Sequence, residues 1–381
     1  AFPLARLGRH VFRIVVWRDV FAAFRVEIEK KHDAGLNLTL ELEEGTRLVA
    51  AAAKRAGGPL ASLADRLATA DGALRLSLLL DPGTAALMRA ADDRPFAAIS
   101  AEHPVDAERR EARFASWYEL FPRSQSGDPT RHGTFTDVIR RLPEIRELGF
   151  DVLYFTPIHP IGRSNRKGRN NTLTPEPHDV GSPWAIGSAA GGHDAIHPEL
   201  GTVEDFRALL ARADELGLEI ALDLALQAAP DHPWATEHRD FFTELADGTI
   251  AYAENPPKKY QDIYPLNFDN NPPAIYDEIL RVVRYWADLG VRTFRVDNPH
   301  TKPANFWQWL IARIHETDPD VVFLAEAFTR APRLYGLAKL GFSQSYTYFT
   351  WKTSKQELTE FASEIRDAAD YSRPHLFVNT P

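Results

Sequence analysis

The chain has 381 residues, 44% hydrophobic and 25% charged, with a net charge of -9 and no cysteine. Apolar material is ample for a large domain plus a smaller one, and the acidic balance argues against a nucleic-acid footprint, which needs Lys and Arg in clustered excess. Disulfides, thiol catalysis and cysteine-based zinc sites are excluded, and no apolar run reaches the roughly 18 residues that span a bilayer. The opening AFPLARLGRH lacks the uncharged apolar core of a secretory leader, so the cytoplasm is the expected compartment.

In chain order, residues 10–31 hold two β-rich runs around Arg18 and Asp19, with alternation at Phe24, Val26 and Ile28, which predicts a hairpin. From about residue 46 the texture turns to Ala, Leu and Arg at helical spacing, broken at Gly57, Gly58 and Pro59, with more helix near 84–90. Residues 1–105 carry no recognisable chemistry and are expected to form an accessory region, the end of a β-domain followed by helices.

Residues 106–381 are rhythmic. Strand-like runs at 114–120, 151–158, 219–225, 291–297, 321–328, 344–349 and 375–378 alternate with helical segments such as 135–148, 203–216, 274–289, 305–317 and 354–367. That alternation predicts an α/β fold with a parallel sheet, either doubly wound or a (β/α)8 barrel. No glycine-rich phosphate turn follows the first strand, so the dinucleotide fold lacks its mark. Two long excursions, about 159–201 and 227–273, follow strand ends, where barrels build their active sites. Seven strands are counted rather than eight.

The most informative run is VRTFRVDNPHTK at 291–302. Arg295 and Asp297 are two residues apart on a strand and share a face. A charge pair there costs several kcal/mol unless satisfied, and the Arg would keep the carboxylate ionised, as a nucleophile requires. A salt bridge plugging a barrel would give the same spacing. In VVFLAEAF, Glu326 ends an apolar strand, where a raised pKa suits a proton donor, although a merely exposed strand end is the alternative. Two carboxylates on successive strands can face one another across a barrel mouth, and a retaining glycosidase holds them about 5–5.5 Å apart. In EIALDLALQAAPDHPW, Asp223 ends a third strand with Gln227 four residues on; it could orient Arg295 or be a structural strand-end carboxylate. The histidines at 159, 178, 193, 197 and 300 lack the spacing of a helical zinc pair, so no metal or cofactor is expected. His193-Asp194 reads as a loop-fixing or sugar-contacting pair. Of the aromatic residues, Trp184 and Tyr260 are expected near ligand, and Trp307 and Trp309 in the core.

Asp223 with its loop, FRVDN, LAEAF and FVNT come in the order of the four motifs of the α-amylase superfamily. SWYELFPRS (116–124), RSNRKGRNN (163–171), GSPWAIGS (181–188), GGHDAIHPELGT (191–202) and NPPKKYQDIYPLNF (255–268) resemble one branch, the bacterial α-1,4-glucan:maltose-1-phosphate maltosyltransferases. General amylases have Asn and His where Gln227 and Ala228 stand; the maltosyltransferase pattern does not. The resemblance implies an α-amylase-type (β/α)8 barrel with Asp297 as nucleophile, Glu326 as acid and then base, and Arg295 against Asp297. It further implies that Lys167, Gln227, Asp262 and Asn298 contact α-maltose 1-phosphate and that Asn255, Lys258 and Tyr260 hold its phosphate, where a lysine supplies a point charge. Without the resemblance, Lys258 reads as a solvated turn. The implied partners are α-maltose 1-phosphate and an α-1,4-glucan, with a homodimer as the expected assembly. The superfamily's third carboxylate, the eighth strand, the last helices and a C-terminal β-domain are expected beyond Pro381, in a longer and active protein. Competing readings are a hydrolase or isomerase using the same carboxylates on neutral glucans, separable by phosphate dependence, and a non-catalytic carbohydrate-binding barrel, which retention of Asp297, Glu326 and Arg295 disfavours.

Overall fold

The computed structural model describes residues 3–378, which fall into two units, Arg9–Val105 and the remainder of the chain. Asn379, Thr380 and Pro381, the end of the fourth superfamily-like motif, lie outside the described residues.

In the smaller unit, helices Val20–Asp33, Thr39–Ala56, Gly58–Thr69, Gly72–Leu80 and Pro82–Ala90 bury one apolar core that includes Ile28, Val49, Leu67 and Leu79. The helix break falls at Gly57, with Pro59 in the first turn of the next helix, where its missing N–H costs nothing. The β-rich start is shorter than expected. Strands Gly8–Phe12 and Val15–Val16 pair with His103–Ala107 and Ala98–Ile99, while the second half of the expected hairpin is helix. Asp19 caps that helix by accepting the Ala22 N–H at 2.8 Å. Phe21, Phe24 and Ile28 are buried at helical spacing, and Val26, which a strand would place with Phe24 and Ile28, is 52% exposed.

In the larger unit all seven expected runs become strands: β1 Trp117–Leu120, β2 Val152–Phe155, β3 Glu219–Leu224, β4 Thr293–Asp297, β5 Val322–Glu326, β6 Gln344–Tyr346 and β7 Pro374–His375. They form one parallel sheet in chain order, with β1 and β7 at its edges. Helices α1 Phe135–Glu147, α2 Val203–Glu215, α3 Pro272–Leu289, α4 Ala304–His315, α5 Ala331–Ala338 and α6 Lys355–Asp367 connect them. Capping boxes at Thr134/Asp137, Thr202/Asp205 and Ser354/Glu357 start α1, α2 and α6.

Alternation along the strands sorts the side chains. Leu153, Phe155, Leu222, Phe294, Val296 and Phe323 join Phe206, Val283 and Trp307 of the helices in the main core. Val152, Tyr154 and Ala221 form a separate small cluster, as do Leu324, Tyr346 and Phe377, on the other side of the sheet. This is the strand-and-helix pattern of an amylase-type barrel with seven staves among the described residues. Between the edge strands lies a cleft of ≈ 790 Å³ lined by Trp117, Glu119, Tyr154, Tyr346, His375 and Phe377 among others. No helix among the described residues is long and apolar enough to cross a membrane.

The two long excursions have local order of their own. Residues 159–201 carry the bridges Ile161↔Ile186 and Ser188↔Gly191. In 227–273, Gln227–Ala228 pairs with Tyr264–Pro265, and Ala253–Asn255 with Lys258–Tyr260.

Candidate active site

The site grows from the register of three strands. Arg295 on β4 lies opposite Asp223 on β3, and Asp297 at the end of β4 lies opposite Glu326 at the end of β5. Parallel neighbours in register point the same way, so four ionisable side chains converge on one face. Arg295 joins them: Nη1 donates to Asp223 Oδ2 at 2.7 Å and to Asp297 Oδ1 at 2.9 Å, and Nη2 lies 3.5 Å from Glu326 Oε1. The Arg295 side chain is 2% exposed, and those of Asp297 and Glu326 are 10% and 12% exposed. Tyr154 Oη donates to Asp223 Oδ2, and Arg295 lies 5.8 Å from the ring centres of both Tyr154 and Tyr346. One guanidinium thus contacts both carboxylates expected to do chemistry.

A tight turn follows Asp297. Asn298 is left-handed (φ 46°), a conformation Asn tolerates better than most residues. Its backbone N–H donates to Glu326 Oε2 at 3.2 Å, and its side-chain amide lies 3.4 Å from Asp297 Oδ2. The buried Trp307 of α4 holds the turn through a 2.9 Å bond to the Pro299 carbonyl.

The remaining expected positions divide. Gln227 follows β3 and donates to the Trp184 carbonyl at 3.2 Å, while Trp184 Nε1 is 3.4 Å from Asp223 Oδ2, so both adjoin the carboxylate network. Lys167 and Asp262 are buried together at 3.8 Å, and Asp262 Oδ1 has no hydrogen-bond partner. Asn255, Lys258 and Tyr260 stand on the hairpin of the second excursion, with Asn255 and Lys258 exposed and paired across it. The basic loop reaches that hairpin through Asn165 Nδ2, which donates to the Gln261 carbonyl at 3.2 Å.

Comparison with known proteins agrees with this geometry. Residues 1–109 match the family model for α-1,4-glucan:maltose-1-phosphate maltosyltransferase, domain N/S, and residues 119–266 match the α-amylase catalytic domain. The chain is 60% identical over 392 residues to the α-1,4-glucan:maltose-1-phosphate maltosyltransferase of Corynebacterium glutamicum, covering 98% of this chain and 57% of that protein. It is 54% identical over 394 residues to the protein of the same name in Mycobacterium tuberculosis (strain H37Rv), covering 100% of this chain and 56% of the relative. Over nearly its whole length this chain resembles the α-1,4-glucan:maltose-1-phosphate maltosyltransferases. It spans little more than half the length of these relatives. An α-amylase from Lactobacillus plantarum shares the fold with a TM-score of 0.55 and 26% identity, over 68% of this chain and 61% of that one.

Burial and neighbouring charge act on the ionisable groups of this site. Burial pushes the Glu326 carboxyl above its ordinary value, against the pull of Arg295, and the nearby Asp297 adds to the rise. Asp297 accepts a hydrogen bond from Arg295 at 2.9 Å, whereas Glu326 lies 3.5 Å from the same guanidinium. Burial pushes Asp223 up to about 7 despite Arg295. Burial opposes the Arg295 charge, yet Asp223, Tyr154, Asp297 and Glu326 hold its pKa well above the ordinary arginine value.

Three residues of the site were not singled out from sequence. Tyr154 was legible only as one more apolar strand position. Lys302, at the end of the VDNPHTK run, is half-buried; burial lowers its pKa while Asp297 and Glu326 pull it back up. Glu119 on β1 has a buried Oε1 without a hydrogen-bond partner, and burial raises its pKa against the field of Arg295.

His193 fixes its loop: it is 2% exposed and bonded to His232 and to the Ala225 carbonyl. Asp194 instead meets Arg281 at 2.9 Å. His132, His197 and Glu199 offer ligand atoms within 4.8 Å of one another. The two rings are stacked within 8° of parallel, and His197 Nδ1 accepts the Glu199 N–H at 3.3 Å. A tetrahedral ion needs its ligands splayed around it, so the cluster fits one poorly.

Proposed function

We propose that the protein moves maltosyl units from α-maltose 1-phosphate to the non-reducing end of an α-1,4-glucan by retaining double displacement. The observation that carries the reading is the single guanidinium of Arg295 against both Asp297, at 2.9 Å, and Glu326, at 3.5 Å. A carboxylate hydrogen-bonded to an arginine beside a second carboxyl with a raised pKa is the division of labour a retaining enzyme needs.

In the first step an Asp297 oxygen attacks the anomeric carbon while the bond from that carbon to the phosphate oxygen breaks. Glu326 gives its proton to the departing phosphate, and a maltosyl ester of Asp297 forms. In the second step Glu326, now a carboxylate, takes the proton of the acceptor 4-hydroxyl. That oxygen attacks the anomeric carbon, the ester bond breaks, and the Asp297 carboxylate is restored. Asp223 and Tyr154 keep Arg295 in place. Lys167, Gln227, Asp262 and Asn298 contact the donor sugar on this reading, and Asn255, Lys258 and Tyr260 its phosphate. Glycogen-like chain extension in the cytoplasm, by a homodimer, follows from the same family-based reading.

The test uses full-length protein with maltose 1-phosphate and maltohexaose. Inorganic phosphate and products longer by two glucoses are expected. Growth by one glucose, or no phosphate, would reject the donor.

A further inference from the structure

We propose that His193 is a positioning residue for the exit of β3, acting through a hydrogen-bonded pair of neutral imidazoles that ties the Trp234 N–H to the Ala225 carbonyl. The idea rests on the proposed reaction for its kinetic consequence, but not for its geometry.

The backbone settles the direction of every bond. The Trp234 N–H donates to His232 Nδ1 at 3.0 Å, so that nitrogen must be the acceptor. His232 Nε2 therefore carries the proton, and it faces His193 Nδ1 at 3.0 Å. His193 Nδ1 accepts, so His193 Nε2 carries the second proton, and it points at the Ala225 carbonyl at 2.8 Å. Both rings have every nitrogen used in this one arrangement. A proton added to either ring would set two N–H groups against each other. Burial first, and the neighbouring imidazoles second, lower His193 to about 3 and His232 to about 2, which keeps the pair neutral.

Packing leaves the pair no other pose. A Cβ on Gly187 would come within 2.3 Å of the His232 ring, and one on Gly192 within 2.4 Å, so both must be glycine for the ring to fit. His193 stacks on Trp234 with centroids 4.7 Å apart and planes 12° apart, and its carbonyl accepts Trp286 Nε1 at 2.8 Å.

The carbonyl so held belongs to Ala225, two residues after Asp223 and two before Gln227, and it also accepts the Gln227 N–H at 3.0 Å. The 159–201 excursion that carries His193 also supplies Trp184, which touches Asp223 and Gln227. Loss of the imidazole bridge would free the β3 exit, and with it the carboxylate that aligns Arg295. A displacement near 1 Å at such a site costs on the order of a hundredfold in rate.

The experiment compares His193→Gln, His193→Leu and, as a control from the same buried cluster, His159→Leu in full-length protein. His159 bonds the Ala195 carbonyl at 3.0 Å and takes no part in the bridge. The glutamine amide can donate to Ala225 and accept from His232. His193→Leu is expected to lose about a hundredfold in kcat with a small change in donor KM; His193→Gln should keep most of it, and His159→Leu should lower the melting temperature without that loss. Hydrogen exchange is the activity-independent arm: Trp234 amide protection should collapse in His193→Leu and persist in His193→Gln. Wild type that releases no phosphate would sink the proposed donor while leaving the exchange result to stand. Full protection of the Trp234 amide in His193→Leu, or an equal kcat loss in His159→Leu, would overturn the positioning role.

Discussion

The backbone N–H of Asn298 donates to the Glu326 carboxylate at 3.2 Å, so the residue that follows the expected nucleophile also holds the expected acid. Asn298 itself has a left-handed φ of 46°. A glycine there keeps the backbone bond and, like valine, loses the side-chain contacts with Asp297 and with the proposed donor, so the two variants differ in the backbone alone. A β-branched residue is strained in this region by roughly 1–3 kcal/mol. Asn298→Gly should therefore retain much more of the phosphate-release rate than Asn298→Val. Equal rates in the two variants would show that the turn does not position Glu326.

Lys302 should tune the acid. Its charge lowers the Glu326 pKa, against the upward push of burial and Asp297. Removing the charge disfavours the Glu326 carboxylate, so the pKa rises. Because the proposed first step needs protonated Glu326, its rate should fall as pH climbs through that pKa. Lys302→Met should shift this basic limb of kcat/KM to higher pH, whatever it does to the absolute rate. A shift to lower pH would contradict the assignment.

Asp223 gives a pH-dependent stability prediction. Its folded pKa is about 7 through burial, above the ordinary unfolded value of about 3.9. The native state therefore binds more protons between these values. The stability this confers is fully present below the unfolded pKa and is lost as pH rises toward about 7. Asp223→Asn lacks the titrating group. The variant should gain on the wild type in thermal midpoint as pH is raised from about 4 to about 7, and a difference constant with pH would refute the burial argument. Catalysis should still suffer, because the asparagine leaves Arg295 without its closest anionic partner, at 2.7 Å.

Much of the fold was legible because alternation and helical spacing are local properties. All seven strands were placed, and Arg295 with Asp297 could be assigned to one face from their spacing. Where two periods fitted, sequence could not decide. Phe24, Val26 and Ile28 satisfy a strand, yet Phe21, Phe24 and Ile28 satisfy a helix, and the Asp19 cap with a core waiting on one side selected the helix.

Contacts that depend on register were out of reach. That Asp223 lies opposite Arg295 follows from the pairing of β3 and β4, which no stretch of either strand encodes alone. Tyr154 and Lys302 became visible only once neighbouring strands and the turn brought them to the carboxylates. His193 and His232 lie far apart in sequence, and the glycines that make room for the second ring read as ordinary loop residues. Lys167 and Asp262, whose pairing is long-range, were reached only through the resemblance of 163–171 and 255–268 to the family.

The central claim, that Asp297 and Glu326 share one anomeric carbon in different roles, is tested most directly by trapping the sugar. Full-length Glu326→Ala should be incubated with a fluorinated maltosyl donor bearing a good leaving group, and its peptides mapped by mass. The account predicts a maltosyl adduct on the peptide containing Asp297, and none from Asp297→Ala under the same conditions. An adduct on any other residue, or accumulation that survives the Asp297→Ala change, would contradict it.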